Sequence, residues 1–229
     1  TTAQAANVLS HLEYYLQIVW PELNVNVVST TEQWAGAAIA GPKSRDMLSK
    51  LYPDLDVSND ALPFMGYKEA EFFGVPSRIF RISFSGELAY EINVKSDHGM
   101  FMWEKMMEVG KEFGNQPYGT EALSTLRIEM GHVAGPELDG RTIPSDVSLN
   151  GLVSKKKDFI GKNSLGREAF NVESRQKIVG LIPIDRKSSI PEGSHIVQDQ
   201  NAKLPNPKLG HVSSSCWSVE NNNPFSLAI

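Results

Sequence analysis

A single cysteine, Cys216, stands in 229 residues, so no intramolecular disulfide framework or thiolate metal site is available and the chain suits a reducing compartment. His11, His98, His132, His195 and His211 are dispersed, with no two at metal-ligand spacing, and no metal is expected. No apolar run approaches a membrane span and no signal peptide is visible, so a cytoplasmic protein without a membrane partner is expected. The 22 Lys and Arg are scattered in a chain of net charge −5. Lys155-Lys156-Lys157 is too short a run to make a basic stripe, which excludes nucleic acid as a partner. Repeats, low-complexity tracts and a dinucleotide fingerprint are also missing. Gly135–Gly140, GPELDG, lacks the glycine spacing and lysine of a nucleotide loop, and its acids would repel phosphate.

What is present is an ordinary globular composition, 41% hydrophobic, long enough for one large or two smaller domains. Val8, Leu12, Tyr15 and Val19 recur at helical spacing in a helix beginning near Ala3 that Pro21 ends. Trp34 to Ile39 is a short apolar run of the kind found in a buried strand. Gly41-Pro42 turns the chain into a second helix, Lys43 to Leu51. Ser96 or Asp97 caps a third, whose Met100, Trp103 and Met107 form a core stripe. Thr120 caps a fourth, Glu121 to Met130, which Gly131 ends. From Gly131 to Gly151 the chain reads as a long ordered loop. Beyond it, QKIVGLIPID, EGSHIVQD and LGHVSSSCW have the cadence of a small barrel or sandwich. The expected domains are 1–170 and an incomplete 171–229. SLAI stops within a strand, so the chain is expected to be truncated at both ends, with Phe225, Leu227 and Ile229 partly uncovered at an open edge.

The most informative stretch is SFSGELAYEINV, Ser83 to Val94. Alternation from Gly86 puts Leu88, Tyr90, Ile92 and Val94 on one face and Glu87, Ala89, Glu91 and Asn93 on the other. Upstream, Phe80, Ile82 and Phe84 alternate with Arg81, Ser83 and Ser85, and the glycine between the two runs allows a bend or bulge. An edge strand with solvated acids accounts for this pattern as well as a ligand site does. Arg127, beside the apolar stripe of Leu123, Leu126 and Met130, either pairs with Glu129 or lays its stem along that stripe. His132 either enters a pocket or sits on the surface. Cys216 lacks a local base and reads as structural.

SFSGELAYEINV resembles the glycine-glutamate-aromatic-glutamate signature of the aminomethyltransferase family, the T-protein of glycine cleavage and its folate-binding relatives. YGTEALSTLRIEMGHVAGPELDGRTIPSDVSL, Tyr118 to Leu149, resembles that family's helix and following loop. Within the family, ELDGRTIPSD, KKKDFIGK and VGLIP are similar to the carboxy-terminal part of heterotetrameric sarcosine oxidase α subunits. The resemblance implies an α+β, aminomethyltransferase-like fold with antiparallel sheets and packed helices, followed by the small barrel. It implies tetrahydrofolate as cofactor, with Glu91 facing the pterin, Glu87 nearer the mouth of the site and Arg127 meeting the folate's carboxylate tail. It further implies that sarcosine is oxidised on a flavin in a partner subunit and its one-carbon unit captured as 5,10-methylenetetrahydrofolate. Flavin and NAD are then expected only in partner subunits or other regions, and the isolated chain is expected to be inactive. The alternatives are a glycine-cleavage aminomethyltransferase, a dimethylglycine-oxidising relative, or a non-catalytic folate-responsive interaction module. The family's catalytic aspartate precedes a helix like the one beginning at Ala3, so no catalytic residue is assigned.

Overall fold

The computed structural model describes residues 4–229; Ala3 lies outside them. The chain divides into two compact units, Thr1–Ser83 with Glu87–Gln116, and Phe84–Gly86 with Pro117–Ile229.

In the first unit, helix α1, Ala5–Tyr14, runs into a π-helical turn, Tyr15–Val19, and stops at Trp20 before Pro21, where the residue preceding a proline disfavours helical backbone. The unit then builds β1, Trp34–Ala40, helix α2, Ser44–Leu51, and β2, Tyr67–Phe72. After these come β3, Val75–Phe80, β4, Ala89–Lys95, and helix α3, Gly99–Gly110. The four strands make an antiparallel sheet in the order β1-β4-β3-β2. β1 is therefore an edge, with Gly36 and Ala38 exposed and only Ile39 buried, not the fully buried strand its composition suggests.

Both helices pack against β4. Met47, Leu48 and Leu51 of α2 and Met102 and Met106 of α3 join Ile79, Tyr90, Ile92 and Val94 in one core. Ile92 and Val94 are fully buried, which contributes about 1.5–3 kcal/mol each. Because side chains alternate, that burial fixes Glu91 and Asn93 on the opposite face. The core stripe of α3 is Met102, Met106 and Gly110, not the expected one: Met100 is 70% and Trp103 45% exposed. GMFMWEKMMEVG is apolar enough for two interleaved stripes. The approach of Gly99 to β1, where an added Cβ would lie 2.8 Å from the Ala35 side chain, turns the 102/106 face inward.

The second unit contains helices α4, Thr120–Glu129, and α5, Lys162–Leu165. Its strands are β5, Val179–Leu181, β6, His195–Val197, β7, Lys208–Ser218, and β8, Asn223–Ala228. Helix α4 starts from Gly119 with Thr120 already inside it and no side-chain cap; Gly131, at φ +68°, ends it as expected. The Gly131–Gly151 stretch holds single-turn 3-10 helices at Gly135–Glu137 and Asn150–Leu152.

The strands form a four-stranded antiparallel sheet in the order β5-β8-β7-β6. Among the described residues no pairing joins β5 to β6, so an open sheet replaces the expected barrel. β8 is paired on both sides and buries Leu227 and Ala228, so it is not the expected open edge, although Phe225 and Ile229 are part-exposed. Because α4 packs on β7 and β8, the compact unit that holds them begins at Pro117.

Gly86 takes φ +86°, and a Cβ there would lie 2.1 Å from the Met130 Cγ. Met130 is exposed and can move, but the backbone cannot escape the left-handed region. Gly86→Ala is expected to cost about 1–2 kcal/mol, read as a lower urea midpoint; an unchanged midpoint would contradict this account of the turn.

Candidate functional site

The outer face of the first sheet follows from its register. Residues directly opposite each other in an antiparallel pair share a face. Glu91 stands between Ala38 of β1 and Phe80 of β3, and Phe80 in turn faces Tyr67 of β2. The neighbouring row reads Gly36, Asn93, Arg78, Glu69, and beyond it Trp34 faces Lys95.

Glu91 is half-buried. Burial alone holds its carboxyl above the usual carboxylate range, and among the described residues no donor or cation reaches it. A desolvated carboxylate with vacant acceptor sites is costly unless something supplies N–H groups. The Tyr67 and Phe80 rings lie 5.0 Å apart and form an aromatic wall on one side of it. Gly36, Ala38 and Ala40 leave a low floor on the other. Together these groups suit a flat heteroaromatic ring that presents donors along one edge. Tyr90, on the opposite face, is fully buried, as the alternation requires, and burial pushes its phenol up. Glu87 is exposed two residues before β4.

The upstream run departs from the expected pattern. β3 ends at Phe80, with Ile79 in the core and Phe80 on the Glu91 face. Phe80, Tyr67, Asn93 and Arg78 thus belong to the candidate site without having been singled out for it. The signal was the pairing of β3 with β4, which one strand's alternation cannot reveal.

Arg127 lies in the second unit, 5% exposed. Its Nη1 donates to Glu137 Oε2 at 2.9 Å and to the His132 carbonyl at 3.3 Å, and its Nη2 donates to Ser214 Oγ at 2.7 Å. It neither pairs with Glu129 nor extends to solvent. Glu137, 1% exposed, also accepts the Ala134 N–H at 2.8 Å and the Ser213 and Ser214 hydroxyls at 2.7 and 2.6 Å. Two consecutive strand residues ordinarily point to opposite faces. A register shift between Val212 and Ser214 is the bulge that lets both hydroxyls reach one carboxylate. Burial pushes the Glu137 carboxyl up, but Ser214, the Ala134 N–H, Ser213 and Arg127 together hold it below the usual range.

His132 is exposed, its ring 4.8 Å from that of Phe84. Burial, reinforced by Glu129, raises the Cys216 thiol to about 11 against the opposing Arg127, so it stays protonated and unreactive at neutral pH. Among the described residues no group of acids, histidines or cysteines could hold a metal, and no helix is long and apolar enough to cross a membrane.

The model of the GCVT N-terminal domain matches residues 1–157, and the chain belongs to that family. It is 44% identical to the sarcosine oxidase subunit alpha of Rhizobium meliloti, over 100% of this chain and 23% of that protein. It is 32% identical to an aminomethyltransferase of Chloroherpeton thalassium, over 90% of this chain and 54% of the other. The chain therefore spans about a quarter of the sarcosine oxidase subunit. The crystal structure of glycine cleavage system aminomethyltransferase T from Bartonella henselae shares its fold at TM-score 0.77 and 22% identity, covering 98% of this chain and 57% of that one.

Removing one member of a buried ion pair leaves the other uncompensated, at about 3–5 kcal/mol. Glu137→Ala is expected to cost that much by urea unfolding at pH 7. Because the folded carboxyl titrates below its unfolded value, its contribution is complete above the ordinary glutamate range and lost as pH falls through the folded value. Wild type and Glu137→Ala should therefore converge on acidification. A constant gap down to the lowest pH at which both fold would contradict the assignment.

Proposed function

We propose that this chain is the tetrahydrofolate-binding portion of a sarcosine oxidase alpha subunit, where the one-carbon unit of oxidised sarcosine is captured as 5,10-methylenetetrahydrofolate. Family membership and the 44% identity over the whole chain support the reading. The observation that carries it is Glu91, a half-buried carboxylate without a partner among the described residues, set beside an aromatic wall.

Tetrahydrofolate, when bound, supplies the nucleophilic nitrogens that take the one-carbon unit. The chain's own share is recognition and placement. Glu91 accepts the adjacent N–H groups of the pterin edge in charge-assisted bonds. Phe80 and Tyr67 pack against the ring and exclude water, and Glu87 stands at the mouth. Holding the acceptor in one orientation replaces an encounter in solution by a local one, which lowers the barrier without a protein nucleophile. Arg127, both terminal nitrogens engaged within the second unit, acts as a positioning residue for the loop that carries Glu137 rather than as a ligand contact. Flavin and further subunits belong to the rest of the assembly.

Glu91→Gln keeps the shape and turns one acceptor into a donor facing an N–H. At about 1.5–3 kcal/mol for a bond to a charged group, affinity for a stable reduced folate should fall roughly ten- to a hundredfold. The raised carboxyl means that ionised Glu91 opposes folding at neutral pH, so Glu91→Gln should melt no lower than wild type at pH 7. Calorimetry and thermal unfolding check both. Equal affinity of the two proteins for the folate would overturn the assignment.

A further inference from the structure

The outer face of the first sheet changes character along its strands. Glu91 and its aromatic neighbours lie towards one end. Towards the other, Arg78 sits opposite Asn93, and Lys95 opposite Trp34. The Arg78 guanidinium carbon lies over the Trp34 indole, 4.0 Å from its centre, a cation–π contact that holds the charged head on this face. Its only ion-pair partner among the described residues is Glu69, 3.7 Å from Nε. With 43% of the Arg78 side chain and 67% of that of Glu69 exposed, this contact is weak. The Tyr67 hydroxyl on the neighbouring strand also meets the Arg78 side chain, and both contacts are solvent-facing, in contrast to the buried partners of Arg127.

Lys95, opposite Trp34, stands four residues beyond Glu91 on β4, about 13 Å along the strand, and Arg78, opposite Asn93, stands about half as far. An acceptor at one end and two cations at the other complement a molecule whose ring donates hydrogen bonds and whose tail is anionic.

We infer that Arg78, held over Trp34 and assisted by Lys95, is the residue that receives the anionic glutamate tail of the folate, the role the family resemblance implied for Arg127. This rests on the folate reading of Glu91. It makes Arg78 a specificity-determining residue: it distinguishes a tailed folate from a free pterin, whereas Glu91 serves both.

The test is calorimetric titration of the full 229-residue chain and its variants with two probes, 5-formyltetrahydrofolate and a reduced pterin without the aminobenzoylglutamate tail. Arg78→Gln should weaken the tailed folate about tenfold and leave the tail-less pterin unchanged. Arg78→Lys, which keeps the charge but not the planar fork, should fall between wild type and Arg78→Gln. Glu91→Gln should weaken both probes. If Arg78→Gln binds both probes like wild type, or weakens both equally while melting like wild type, the inference is overturned and the Glu91 reading stands. If Glu91→Gln weakens neither probe, or the wild-type chain binds neither, the folate reading falls and this one with it. A variant melting well below wild type would be replaced by Trp34→Leu, which removes the stacking surface and should show the same selective loss.

Discussion

The first unit is organised by the burial of Tyr90, Ile92 and Val94 beneath α2 and α3. A slip of one residue would put Glu91 and Asn93 into the core and three large apolar side chains into water, a penalty of several kcal/mol that no local interaction in the strand offsets. The core thereby dictates what the opposite face presents. Because β4 is central, Glu91 is walled by strands on both sides and loses part of its hydration. Its raised titration follows from that position, and so does its capacity to gain from donors brought by a ligand.

The second unit is tied together by a different kind of interaction. Arg127 on α4, Glu137 in the following loop and Ser213 and Ser214 on β7 form a network in which the buried carboxylate accepts four hydrogen bonds from three segments of chain. A buried pair of this kind adds little net stability compared with apolar packing, but it penalises any arrangement in which one member is left alone. It fixes the course of the loop after α4. A second lock sits further along, where Asp146, 3% exposed, is held by Arg175 and by the Ile143 N–H.

Much of this was legible in the sequence, and the failures are physical. The two faces of β4 were readable because strong apolar residues at period two leave no other register. The end of α4 at Gly131 was readable because a left-handed position favours glycine. The face of α3 was not, since an almost wholly apolar helix has no unique stripe until a sheet presses on one side. The edge position of β1 depends on strand order, which composition does not encode. The cadence of the C-terminal strands suits an open sheet as well as a barrel. Arg127 was noticed, but its partner was sought two residues away at Glu129, whereas Glu137 lies ten residues on and its site depends on a bulge in β7. Phe80 and Arg78 reach the Glu91 face only through pairing between strands.

The central claim is that Glu91 is a vacant acceptor waiting for N–H donors. Titration of its carboxyl carbon by NMR, in the free chain and in the presence of a stable reduced folate, tests this most directly. In the free chain the midpoint should lie above that of an ordinary glutamate, and saturating folate should move it downward, because donors to the ionised form favour that form. A midpoint unmoved by saturating folate would contradict the account.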